Sequence, residues 1–240
     1  AIVLMGRNVA SYKFALAKAL LSHEVADDSA IRLEDLAAPF AKNICEHLRL
    51  SDKQTTSRSS TFIDSCKKHN DGKISDQELA LVTTKLGFNN VIDAFHVVGR
   101  ADTPVRFFMD ERQEGNVIRL TDDFYNLKES IQCDNLGTEV EARWRLVETA
   151  WNLNISTRLL MVSHDLDEET LFVTDKSQKR IGVTSSRGAL NGYQKGKCFY
   201  CRDDISVDQG SSVTGDVDHF FPHRLKGTDV VPNIDGVWNL

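Results

Sequence analysis

Gly196-Lys197-Cys198-Phe199-Tyr200-Cys201, Asp216-Val217-Asp218-His219-Phe220-Phe221-Pro222 and Asp235-Gly236-Val237-Trp238-Asn239-Leu240 follow one another along the C-terminal part of the chain. Cys198 and Cys201 are two thiols at a spacing that lets one tetrahedral zinc take both. A structural zinc site needs four ligands, however, and the sequence holds no second C-x-x-C pair, so these two supply half a site. Asp218-His219 places a carboxylate beside an imidazole. On a strand, neighbouring side chains point to opposite faces unless twist or a bulge turns both to one centre. His titrates near neutrality, which suits a general base, and Asp suits a hard divalent cation. Pro222 breaks any helix that would bring His223 onto one face with His219, so His223 reads as peripheral.

Outward from these residues the chain is richer in helix. Ser11 stands before Tyr12 to Leu21, whose apolar residues share a helical face, and is placed as an N-cap. Leu36, Phe40, Ile44 and Leu48 recur at steps of four in a second helix over Leu33 to Leu50. The Ser/Thr-rich stretch Gln54 to Thr61 reads as a loop. Helical patterns resume at Phe62 to Cys66 and at Asp76 to Leu86, with Gly87 as C-cap. Arg106 to Met109 and Val117 to Leu120 flank Glu114-Gly115-Asn116, a hairpin signal, after which Thr121 caps a short helix. Val140 to Leu153 is strongly amphipathic: Trp144, Val147 and Trp151 share one side, and Glu139 with Arg143, and Glu141 with Arg145, are spaced for ion pairs. Leu159 to Val162, Thr170 to Thr174 and Arg180 to Thr184 read as a three-stranded meander. Ser185 or Ser186 caps a helix that delivers the chain to Cys198. The class is α+β, with a mixed, mainly helical recognition or regulatory region over 1–190 and a separate module over 191–240.

That module resembles the HNH endonucleases, the ββα-metal nucleases, in their zinc-knuckle form. Cys198 and Cys201 match the first knuckle. Asp218-His219-Phe220-Phe221-Pro222 matches the D-H-x-x-P strand, and Asn239-Leu240 the middle N-L. The resemblance covers about the last fifth of the chain, with its three blocks in the family's order. It implies a second C-x-x-C and a final helix beyond Leu240, so the module read here is incomplete. It also implies metal-dependent hydrolysis of phosphodiester bonds in DNA, double-stranded by family. His219 would be the base, Asp218 a ligand of a catalytic magnesium or manganese ion, and Asn239 the residue that orients the histidine or sits near the metal. Cys198 and Cys201 would hold a separate structural zinc. An effector of bacterial antiviral defence is a setting the resemblance suggests, with the leading region binding a partner protein or a second copy. The competing reading of the same residues is a zinc-knuckle module that binds nucleic acid or protein without cleaving.

The rest of the composition bears on partners. With 29 basic and 35 acidic residues the 240-residue chain carries a formal charge of −6, which argues against coating nucleic acid by bulk electrostatics. Yet Lys176, Lys179, Arg180, Arg187, Lys195, Lys197 and Arg202 fall in a stretch without Asp or Glu, which makes it the expected path of a phosphate backbone. No apolar run approaches the roughly 20 residues of a membrane span. Five cysteines, an odd number, with three of them scattered, point to a reducing, cytoplasmic setting. His164-Asp165, amid acidic residues, looks metal-like but is expected to be solvated at a hairpin turn. Asn70 to Glu78 ends like a calcium loop, but the register puts Lys67 and His69 where oxygen anions are needed, which excludes calcium.

Overall fold

A computed structural model describes residues 9–23, 29–98, 101–130, 132–154, 162–165, 167–174, 179–207, 211–228 and 234–240. The protein is α+β and divides into two compact units, 1–130 and 131–240. Residues 191–240, set apart in the sequence reading, share their unit with 131–190.

In the first unit, α1 (Tyr12–Ser22), α2 (Leu33–Leu48), α3 (Thr61–Asn70), α4 (Asp76–Val82) and α5 (Asn89–Phe95) bury one aromatic core. Phe40 lies at its centre, with Tyr12, Phe62 and Phe88 at ring-centroid distances of 6.1, 5.6 and 4.8 Å. Such edge and offset contacts each add of order 1 kcal/mol beyond the area they bury. Ser11 does not cap α1: its hydroxyl and its amide both donate to the Gln54 carbonyl, a tertiary partner 43 residues away. Gly87 is not a left-handed cap either. It ends a π-helical turn, Thr83–Gly87, and a Cβ there would lie 3.0 Å from the Phe40 ring, so glycine allows the close approach. The short strands β2 (Val97–Val98) and β3 (Ala101–Asp102) pair with each other. The expected hairpin forms as β4 (Phe108–Glu111) and β5 (Val117–Leu120), antiparallel, with the helical turn α6 (Arg112–Gly115) between them and left-handed Asn116 closing it. β1 (Ala30–Arg32) adds to β5, giving the order β1-β5-β4. Thr121 precedes α7 (Asp122–Lys128), but its hydroxyl donates to the Arg106 carbonyl rather than to the helix.

In the second unit α8 runs from Gln132 to Asn152, a full two turns earlier than its apolar periodicity indicates. The meander is β6 (Ser163–Asp165), β7 (Thr170–Thr174) and β8 (Arg180–Ser185), in that spatial order. Its first strand sits after the expected one, and 155–161 lies outside the described residues. α9 (Ser186–Gln194) and α8 cover the sheet with Ala142, Leu146 and Ala189 on Val162, Leu171 and Val173. The two helices touch closely at Gly188, where a Cβ would meet Thr138 Cγ2 at 2.8 Å. Glu139 faces this interface, 5% exposed, and accepts from Asn191 Nδ2 at 2.8 Å instead of pairing with Arg143. Glu141 does pair with Arg145 at 3.0 Å. Neither Ser185 nor Ser186 caps α9 with its side chain; Ser186 donates to the Glu169 carbonyl at 2.8 Å.

Candidate active site

The knuckle is a tight turn built by backbone. Lys195 and Gly196, both left-handed, end α9 and reverse the chain. Lys197 then bridges Asp204 antiparallel, and the amide of Cys198 donates to the Asp203 carbonyl at 2.8 Å. Arg202, φ 65°, closes the loop by donating its amide to the Cys198 carbonyl at 3.1 Å. The amides of Cys201 and Tyr200 point at the Cys198 thiol and, with the Cys201 thiol, hold it below its ordinary value. The Asp203 amide favours the Cys201 thiolate, but the Asp203 carboxylate and the Cys198 thiol outweigh it, and that thiol is raised. N–H groups converging on adjacent sulfurs are what a thiolate pair on a metal requires. From α8, Asn135 fixes the strand that leaves the knuckle, accepting from the Val207 amide and donating to the Ile205 carbonyl.

Asp218 and His219 do not lie on a strand. Residues 215–219 are irregular. Asp218 Oδ1 accepts from the His219 amide at 2.7 Å. Immediately beyond, Asn239, fully buried, clamps the loop: its Oδ1 accepts from the Phe221 amide at 2.7 Å, and its Nδ2 donates to the carbonyls of Phe221 and Ile234 at 3.1 and 2.9 Å. The backbone adds Phe220 N–H to Asn239 C=O at 2.8 Å. With its amide spent on backbone, Asn239 positions the histidine-bearing loop.

Two histidines set aside in the sequence reading stand beside His219. His164 is not at a solvated turn. It pairs with Leu171 across β6 and β7, faces the core, and is 4% exposed. Its ring centroid lies 6.0 Å from that of His219, and His223 lies 5.6 Å from His219 on the other side. Residues 234–237 run along the free edge of β6: the His164 amide donates to the Asp235 carbonyl at 2.6 Å, and Ser163 bridges Gly236. Asp235 thereby reaches His223 Nε2 at 3.2 Å and Lys226 Nζ at 2.7 Å. Burial, then the nearby His219, holds His164 below its usual pKa. Both His164 ring nitrogens and His219 Nε2 are buried without a partner among the described residues. Buried orphans of this kind mark places for water, an ion or a reacting group. No signal in the sequence linked His164 to His219; only the edge pairing of 234–237 does so.

Of the basic residues, Lys176 lies outside the described residues. The acid-free stretch is not acid-free in space. Arg180 pairs with Asp165 and stacks over Phe172, Arg187 reaches Glu169 and Asp216 at 3.1 and 3.5 Å, and Lys197 pairs with Asp204 at 2.5 Å. Lys179, Lys195 and Arg202 are exposed, with Arg202 over the Phe199 ring. A cleft of about 210 Å³ opens beside Asp218, bounded by Arg187, Asp216, Phe199, Phe220 and Trp238. Phe199, Tyr200, Phe220, Phe221 and Trp238 form a continuous exposed aromatic row.

Among the described residues, no group of three or more His, Cys, Asp or Glu is arranged to hold a metal ion, and no helix is long and apolar enough to cross a membrane. Comparison with protein-family models, curated proteins and solved structures finds no match to this chain.

Proposed function

We propose that the protein is a metal-dependent endonuclease of the HNH kind acting on DNA, with His219 as general base. The observation that carries the reading is the clamped loop: Asn239 fixes the backbone of Phe221, two residues after His219, and His219 Nε2 is left buried without a partner among the described residues. A neutral imidazole with a free ring nitrogen takes a proton from water attacking phosphorus. Asp218, exposed and with one oxygen on the His219 amide, has its other oxygen for a cation. The donor set fits a metal in part. Asp218 suits magnesium or manganese, and the two amide-supported thiols suit zinc, each as part of a set that the resemblance completes from beyond Leu240. A divalent cation, when bound, supplies positive charge to the phosphoryl and leaving oxygens. Lys195 and Arg202 are exposed for phosphate contact, and Arg180, Arg187 and Lys197 would exchange a surface carboxylate for a phosphate at small cost.

The second reading, a knuckle that binds without cutting, is favoured by the absence of a three-ligand group among the described residues. Plasmid cleavage with magnesium, comparing wild type, His219→Ala and Asp218→Asn, separates the two. Cutting lost in both variants supports the nuclease, whereas magnesium-independent binding with no cutting by any form supports the module.

A further inference from the structure

A second chemical constellation lies in the first unit and is independent of the nuclease reading. Cys45 on α2, His69 on α3 and Asp76 at the start of α4 form a line: Cys45 Sγ to His69 Nδ1 is 3.8 Å, and His69 Nε2 to Asp76 Oδ1 is 2.6 Å. Cys66, one turn before His69 and fully buried, hydrogen-bonds its thiol to that of Cys45, whose sulfur lies 3.7 Å from the Cys66 carbonyl. Cys45, His69 and Asp76 line a cleft of about 520 Å³, with Lys42, Glu46 and Arg49 around it. One thiol, an imidazole and a carboxylate thus meet at one opening, with Cys66 fully buried beside Cys45.

Three chemistries use such a set, and the geometry selects among them. A metal is disfavoured, because these four groups do not converge on a common centre. Acyl transfer needs N–H donors for an oxyanion. Cys45 lies in the last turn of α2, where the unpaired backbone groups are carbonyls, so a tetrahedral oxyanion would find no helix N–H donors there. Oxidation needs only a thiolate, a proton donor for the departing oxygen and a second thiol, and all three are present.

We propose that Cys45 is a hydroperoxide-reactive thiol, with His69 as its proton partner, Asp76 orienting the imidazole and Cys66 as the resolving thiol. The Cys45 proton passes to His69. The thiolate attacks the distal oxygen of the hydroperoxide, the S–O bond forms as O–O breaks, and the departing oxygen takes the proton from His69 to leave as water or an alcohol. Sulfur has lost two electrons and the peroxide has gained them, giving a sulfenic acid at Cys45. The Cys66 sulfur then attacks the Cys45 sulfur. The S–S bond forms, S–OH breaks, and hydroxide leaves as water with the Cys66 proton. The product ties α2 to α3. In support, the Cys66 hydrogen bond, His69 and Arg49 together hold Cys45 at about 7 despite burial, while the Cys45 hydrogen bond and burial push Cys66 up. A low-pKa attacker beside a protonated partner is the asymmetry that sensor thiols use.

The test treats the folded chain with equimolar hydrogen peroxide and maps its peptides by mass spectrometry. Wild type should yield a reducible Cys45–Cys66 crosslink faster than any modification of Cys133. Cys66→Ser should instead trap a sulfenic acid at Cys45, captured by a dimedone probe. His69→Gln should slow Cys45 oxidation several-fold at pH 7, because it removes the proton donor and part of what favours the thiolate while the Cys66 thiol and Arg49 remain. Cys45 reacting no faster than Cys133, or no dimedone adduct in a Cys66→Ser protein with native circular dichroism, overturns the proposal. So does zinc that copurifies with the wild type and is lost in Cys45→Ser. The wild-type and Cys66→Ser arms stand even where His69→Gln does not fold.

Discussion

In the second unit, Cys198 and Cys201 are held three residues apart by one turn, whose amides aim at the sulfurs and leave Cys201 exposed and Cys198 half-buried. In the first unit, Cys45 and Cys66 meet across two helices, buried, and the thiolate is favoured by a thiol, an imidazole and a guanidinium rather than by backbone amides. The difference teaches what each pair is suited to. Amides aim at both sulfurs of one turn, although the Asp203 carboxylate and the neighbouring thiol still raise Cys201, and a pair so placed suits an ion shared by both. A single cationic partner beside a buried, protonated second thiol makes the two sulfurs unequal, and inequality is what electron transfer from one of them needs.

The comparison can be broken most severely at the active-site end. His219→Ala should lower the cleavage rate by about 10²–10⁴, the usual share of a general base, with an unchanged unfolding transition. Replacing Cys45 by Ser should leave cleavage within about two-fold. A plasmid-nicking time course on both variants reads the contrast directly. Next, metal analysis of the purified protein should find zinc removed by the Cys198→Ser, Cys201→Ser pair and retained by the Cys45→Ser, Cys66→Ser pair. The reverse result would exchange the roles assigned to the two sites. A smaller effect belongs to the phosphate path. Reversing Lys195 and Arg202 to Glu should flatten the slope of log affinity against log salt by up to about two units, measured with calcium in place of magnesium, since each phosphate contact contributes about 0.9.

The smallest effect is on stability. Burial lifts the Glu139 carboxyl to about 7, against 4.5 for the ordinary group, even though the Asn191 amide opposes the shift. Between those values the unfolded chain releases a proton that the folded one keeps, so stability falls as pH rises through this window and levels off above it. Glu139→Gln retains the acceptor for Asn191 and removes the titration. Urea unfolding should show the variant gaining on wild type from pH 4.5 to pH 8, with no difference below pH 4.

Much of the first unit was legible because its helices carry their own periodicity: Leu36, Phe40, Ile44 and Leu48 give α2 its apolar face, and burial follows that face. Cys198 and Cys201 are legible as a pair for a similar reason, being close in sequence. What failed had partners elsewhere in the chain. Ser11 answers to Gln54, Gly87 to Phe40, and Glu139 to Asn191 rather than to the arginine four residues on. His164 read as solvated because the alternation of β6 was placed too early, and its inward face appears only once β7 is alongside. The basic stretch misled in the same way, since Asp165, Glu169, Asp204 and Asp216 come to it from outside or from the far side of a turn. Cys45, His69 and Asp76 sit on three helices, so no window of sequence contains their relation.

The clamp by Asn239 also sets an order of events during synthesis. The amide that fixes Phe221 lies 18 residues downstream, and the stretch 234–237 that brings Asp235 beside His164 and His223 is made almost as late. A nascent chain whose exposed part stops short of Ile234 has a finished first unit, α8, the meander and the knuckle, but a His219 loop with nothing to hold it. Domains fold as they emerge, N-terminal first. The His219 loop therefore takes its held form on the ribosome only when the stretch through Asn239 has left the exit tunnel, and a chain that terminates before Ile234 would fold over most of its length with that loop unclamped.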